Sequence, residues 1–137
     1  MNISFEPTGC KLEIISKNTL GYYYEFSKNK KPDLLIIDEN TIPNFYKSIG
    51  VCVFSSNSDI DFSFFKTLDG AVSCGMKSSD TLGFSSIGEA KALVSVRRKI
   101  ILSDRFVEIC DFSAPYYPQL SLYHNLVLSL LYFISRN

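Results

Sequence analysis

The segment Leu120–Arg136, LSLYHNLVLSLLYFISR, decides how the rest of the chain must be arranged. It carries no charge before Arg136. At roughly 100° per residue, Ser121, His124, Asn125, Ser129 and Arg136 fall on one narrow face. Leu122, Leu126, Val127, Leu130, Leu131, Phe133 and Ile134 cover the remainder. The pattern predicts an amphipathic helix with a wide apolar side, and Pro118 stands just ahead of it, where a proline is tolerated. Such a helix needs an apolar sheet or bundle to cover it. A membrane anchor is the rival reading, but a spanning helix takes roughly 20 mostly apolar residues. This run is shorter, and His124 and Asn125 would be expensive in hydrocarbon.

The cover lies upstream. Leu34–Ile37 within DLLIID, Val51–Phe54 within VCVFS, and Ala71–Cys74 (AVSC) are continuous apolar runs. Runs of this kind suit strands buried on both faces of a parallel sheet. Lys11–Ser16 reads as an earlier strand, after a short extended Ile3–Phe5. Helices are expected between them, from Asn18 to about Lys28, over Asn44–Ile49 and over Ser58–Leu68, with Asp69-Gly70 ending the last. The pattern then changes. Thr81–Ile87, Ala92–Leu102 and Arg105–Phe112 read as β segments joined by turns at Gly88-Glu89 and Ser103-Asp104, which implies antiparallel hairpins. The expectation is one α/β domain over 1–137, three-layer-like, with a mixed sheet. Its first half is parallel, its second half is an antiparallel β-meander, and the C-terminal helix closes it.

Composition narrows function by exclusion. The chain has 137 residues, with Lys+Arg and Asp+Glu balanced at 14 each. A neutral chain gives no electrostatic argument for nucleic acid or anionic lipid. A hydrophobic share of 46% excludes general disorder. Cys10, Cys52, Cys74 and Cys110 are scattered, without CxxC, and a single histidine does not complete a usual zinc pattern. No metal or cofactor is expected. MNISFEPTG lacks the basic and apolar regions of a signal peptide, so reduced thiols in a cytoplasmic protein are expected.

Four groups of residues invite chemistry. Pro32–Pro43, PDLLIIDENTIP, places Asp38 as the phosphoacceptor of a response-regulator receiver would be placed. The acidic pair that such a receiver needs after its first strand is Lys17-Asn18 here, so Asp38 reads as an acid at the end of a buried strand. None of Gly9, Gly21, Gly50, Gly70, Gly75, Gly83 and Gly88 opens a phosphate-binding loop ending in GK[ST]. Cys74 and His124 could form a nucleophile pair, with Cys74 at the carboxyl end of a strand, where open α/β sheets bind ligands. Arg97-Arg98-Lys99, read as strand, puts Arg97 and Lys99 on one side and Arg98 on the other, as a solvated face or an anion site.

The order of these pieces carries a resemblance. Leu34–Glu39 (LLIIDE), Asp69–Gly75 (DGAVSCG), Asp80–Ile87 (DTLGFSSI) and the helix opening on His124-Asn125 follow one another as in the C-terminal half of the Mur ligase central domain, which the chain resembles from Asp33 onward. Cys74–Ile87 is also similar to a stretch in small uncharacterised clostridial-type proteins. The resemblance implies an α/β fold and a possible nucleotide contact at His124 and Asn125. It brings no phosphate loop, carbamylated lysine or Mg²⁺-binding acids, and no C-terminal ligand domain is expected in a chain ending at Asn137. A non-catalytic Mur-ligase-like domain is therefore expected, binding a small ligand or a protein partner. The ligand would sit near Cys74, Gly75, Lys77, Ser78, Asp80, His124 and Asn125, where Gly75–Thr81 offers hydroxyls, backbone donors and Lys77 to an anion. The alternatives are a small enzyme using Cys74, Asp80 and His124, and an assembly module forming a homodimer.

Overall fold

The computed structural model describes residues 12–15, 34–39, 48–64, 67–102 and 106–136. Parallel strands come first: β1 (Leu12–Ile15), β2 (Leu34–Ile37), β3 (Ser48–Ser55) and β4 (Thr67–Cys74) pair in that order. β5 (Leu82–Ile87) joins β4 in parallel at the single register pair Cys74↔Leu82. From there the sheet is antiparallel, through β6 (Lys91–Val96) to β9 (Cys110–Pro115) at its edge. β7 (Ile100–Ile101) and β8 (Phe106–Val107) form a separate two-stranded hairpin. α1 (Leu122–Arg136) follows. This is the expected mixed α/β sheet closed by a C-terminal helix.

The pairing follows from the side chains. Every residue of β2 is buried, so Leu34 and Ile36 feed one core while Leu35 and Ile37 feed another. The first core lies under α1. It joins Val51, Val53, Val72 and Cys74 to Leu126, Val127, Leu130, Leu131 and Ile134 of the helix. The second, on the opposite face, holds Ile49 and Cys52, with Phe54, Ile60 and Leu68 against them. Pro115 ends the edge strand β9, where a missing N–H costs the ladder nothing.

Several expected elements differ. No helix spans Ser58–Leu68 in the described part of that stretch. The Asp61 carboxylate accepts from both the backbone and the hydroxyl of Ser63, a local turn that competes with helix and leaves only a 3-10 turn at Phe62–Phe64. Thr67 and Leu68 already belong to β4, and Asp69-Gly70 lies inside that strand, with Gly70 paired to Val51. Ser48 and Ile49, expected in a helix, open β3. The segment Ala92–Leu102 breaks at Arg97, and Arg105–Phe112 divides between β8 and β9, so β9 returns to pair with β6. The helix expected from Asn18, the extended Ile3–Phe5 and residues 44–47 lie outside the described residues.

The polar stripe of α1 is a correction of a different kind, because much of it faces inward. Asn125 and Ser129 are 0% and 1% exposed. The Ser129 hydroxyl donates to the Asn125 carbonyl at 2.7 Å. The Asn125 amide accepts from Tyr117 N–H at 2.8 Å and donates to the carbonyls of Tyr117 and Ser121 at 2.9 and 3.0 Å. A buried amide is stable only with its bonds made, and this one makes them by holding the loop before the helix. Among the described residues no helix is long and apolar enough to cross a membrane.

Candidate functional site

The carboxyl ends of β2, β3 and β4 meet the first turn of α1. Ser121 caps the helix: its hydroxyl accepts the His124 backbone N–H at 3.0 Å and donates to Glu39 Oε1 at 3.0 Å. His124 Nε2 lies 2.6 Å from Asp38 Oδ1, which also accepts the Glu39 backbone N–H at 2.9 Å. With Asp38 ionised, Nε2 carries the proton, and Nδ1 of a neutral ring keeps the lone pair. The buried Tyr123 hydroxyl is shared between the carbonyls of Ile37 and Val53. Burial raises its pKa above the ordinary tyrosine range, with nearby Cys74 and Cys52 next in effect. Three consecutive helix residues, Ser121 aside, thus have fixed duties: Tyr123 reaches under the strand ends, His124 grips Asp38 and Asn125 holds the preceding loop.

Beside this junction lies a cleft of about 290 Å³. Glu39, Asn57, Met76, Lys77 and Leu122 line it, and Cys74 and Tyr123 close its floor. Met76 and Leu122 are exposed apolar side chains on its wall. Lys77 has no ion-pair partner among the described residues.

The turn after β4 is built around Asp80. That carboxylate is 2% exposed and accepts the Lys77 backbone N–H at 2.9 Å and the Ser56 hydroxyl at 3.2 Å. A side chain on Gly75 would strike the same place, since its Cβ would lie 2.6 Å from Asp80 Oδ2 and 2.3 Å from Ser56 Oγ. Gly75 N–H donates to Leu82 O and Asp80 N–H to Lys77 O. Arg97 closes the turn from outside, donating to the carbonyls of Lys77 and Asp80 at 3.0 and 3.4 Å. Its guanidinium fills the space where Gly83 lacks a side chain, 2.4 Å from a Cβ built there.

These contacts change the reading of the expected site. Cys74, Gly75 and Lys77 do come together at the cleft. Ser78 is exposed on the turn, and Asp80 lies behind it as its keystone. The turn therefore already holds an anion, its own Asp80, and its N–H groups at Gly75, Lys77 and Asp80 are occupied. Three of the backbone donors expected to serve an external anion are thus already in use. Asn125 has spent its amide internally, so the nucleotide contact implied for it by the resemblance has no free group. Cys74 is buried, and its thiol pKa is driven well above the usual range by burial first, then by Asp80 and Cys52. A thiol held protonated in this way is no nucleophile at neutral pH. Arg97-Arg98-Lys99 lies in the connection between β6 and β7 and not in a strand, so its members do not alternate faces.

Sequence reading named Asp38 and His124 separately but missed their pairing, and it missed the pair Glu39–Ser121. Their signal was present as an acidic dipeptide ending a buried strand and a serine and histidine opening a helix. No group of three or more His, Cys, Asp or Glu placed to hold a metal occurs among the described residues. Fold and cleft define an α/β domain whose open site lies at the carboxyl ends of its parallel strands. No family model, curated protein or solved structure matches the chain.

Proposed function

We propose that the chain is a non-catalytic, Mur-ligase-like α/β domain that binds a small ligand in the cleft between β4, the end of β2 and the first turn of α1. One observation carries the reading. The cleft is walled by a framework whose buried polar groups are mutually satisfied, while Lys77, Met76 and Leu122 remain open to it. A few convergent polar groups against apolar walls are the usual make-up of a small-molecule site. Glu39 and Lys77 balance in charge, so a neutral or zwitterionic ligand with an apolar part fits better than a polyanion. The order of strands, DGAVSCG segment and HN-bearing helix supports the Mur-ligase-like part of the proposal.

A thermal-shift screen with nucleotides, UDP-sugars and peptidoglycan precursors tests it. A ligand at 100 times its Kd stabilises by about 2.7 kcal/mol. The expected hit loses its shift in Lys77→Gln. ATP-dependent ligase activity in the purified chain would sink the proposal, and an empty screen transfers it to a protein partner.

A second reading rests on the 2.6 Å contact between His124 and Asp38. A carboxylate that fixes one imidazole nitrogen leaves the other as a general base. In that reading the domain is a small enzyme working through His124, with Cys74 uninvolved. Turnover of any screened ligand, abolished in His124→Gln and retained in Cys74→Ala, would favour it over simple binding.

A further inference from the structure

A second cleft, of about 220 Å³, lies along the other part of β4. Its walls are Asp69–Val72 on the strand side and Arg98–Ile101 on the other, with Thr81 between them. Three features single it out. Thr81 is 5% exposed, its backbone N–H goes to Ser73 Oγ and its carbonyl accepts from Arg97, yet its hydroxyl has no hydrogen-bond partner among the described residues. A buried hydroxyl without a partner is unfavourable unless something arrives to bond it. Arg98, unlike Arg97 beside it, has no partner among the described residues. Lys99 adds a second cation to the lining, paired with the exposed Glu108 at 3.5 Å and seated over the Phe106 ring at 4.0 Å. Asp69 is the one acid in the lining and has a partner of its own.

We infer that this cleft is an anion site for a phosphate group, carried by a small ligand or free. The lining holds two cations and one carboxylate, and with Lys99 balanced by Glu108 the positive charge open to a ligand is that of Arg98. The planar guanidinium of Arg98 can take two oxygens of a phosphate side by side, Lys99 supplies a point charge, and the Thr81 hydroxyl donates to a third oxygen. Donors from two different segments suit a tetrahedral oxyanion, which accepts in every direction, better than a planar carboxylate. The volume admits phosphate with a small substituent and excludes a folded dinucleotide. Division of labour explains the Arg-Arg-Lys run: Arg97 builds the turn around Asp80 and Arg98 serves the cleft. The two clefts share the Asp80-Thr81 dipeptide, Asp80 supporting one and Thr81 lining the other.

Titration of the full chain with inorganic phosphate, followed calorimetrically and by ³¹P line width, tests the site. Saturable one-to-one binding is expected with Kd below about 1 mM. Arg98→Gln, a change at an exposed side chain, should weaken it about tenfold or more. Thr81→Val should weaken it several-fold, and Thr81→Ser should restore it. Lys77→Gln, in the other cleft, should leave it unchanged. Absence of saturation at about 20 mM phosphate, equal binding of acetate, or indifference to Arg98→Gln would each overturn the assignment.

Discussion

The parallel and antiparallel halves of the sheet treat their side chains differently. In β2 both faces are buried, and adjacent residues enter separate cores. In β6 and β9 burial alternates: Ala92, Val94 and Val96 turn inward, while Lys91, Asp111 and Ser113 are exposed. A strand covered on both sides, as β2 is, has no room for polar groups within its length, so Asp38 and Glu39 stand just past its end. The antiparallel half can carry them anywhere along its open face. Both clefts border β4, which is only partly covered: one lies at its carboxyl end, the other along Asp69–Val72.

Leu35→Ala and Ile36→Ala put the contrast at greatest risk. Both should destabilise by about 2–5 kcal/mol although they point to opposite faces. Ser113→Ala in β9 should stay within about 0.5 kcal/mol. Urea denaturation measures all three, and a tolerated Leu35→Ala would mean that the second face is not a packed core. Asn125→Ala comes next, since it removes the amide that bonds the Tyr117 N–H and C=O and the Ser121 C=O. A loss of about 2–3 kcal/mol is expected from the same denaturation curves.

The cysteines sharpen the comparison through pH. Burial pushes Cys52, in the parallel half, from its ordinary 9.0 up to about 12. The unfolded chain therefore releases this proton at lower pH than the folded one. Below pH 9 the thiol adds no pH dependence; from 9.0 toward about 12 it lowers stability by up to about 1.4 kcal/mol per pH unit. Tyr123, also raised by burial, acts in the same direction above its ordinary 10.0. Melting temperatures from pH 8 to 11 should fall, and Cys52→Ala should flatten the first part of the fall. Cys110, half-buried in β9 and raised less dramatically, should have the smaller effect when replaced. A modest change is expected from Ser121→Ala, which removes the helix cap and the tie to Glu39. A loss of about 1 kcal/mol by thermal denaturation is expected, with the melting curve still cooperative.

Periodicity made the fold legible where side chains alone decide it. LLII, VCVF and AVSC are strands, and the terminal apolar run is a helix, because their burial is written in consecutive residues. It misled at Ile60–Leu68, where apolar residues at helical spacing reach the second core through a turn and a strand. Pairing of Leu68 with Ile49 outweighs local propensity there, and a single sequence does not display that pairing. The candidate site was half legible. Cys74, Gly75 and Lys77 follow from the strand-end rule, but the duties of Asp80 and Asn125 depend on which groups are already bonded. An aspartate that completes a turn and one that meets a ligand are the same letter. The Asp38–His124 contact joins residues far apart in the chain, brought together only when α1 lies across the strand ends.

The single register pair between β4 and β5 has a mechanical consequence. The sheet is nearly cut there, and α1, which packs on β4, β5 and β9, lies across the cut like a splint. The hairpin strands β5 and β6 are neighbours in sequence and can zip quickly, whereas the parallel strands must wait for long loop closures. The C-terminal helix, last in the described chain, is then the piece that fastens an early-forming half to a late-forming one. Amide protons on the two sides of the cut should exchange as separate blocks when the helix is loosened, and as one block when it is seated.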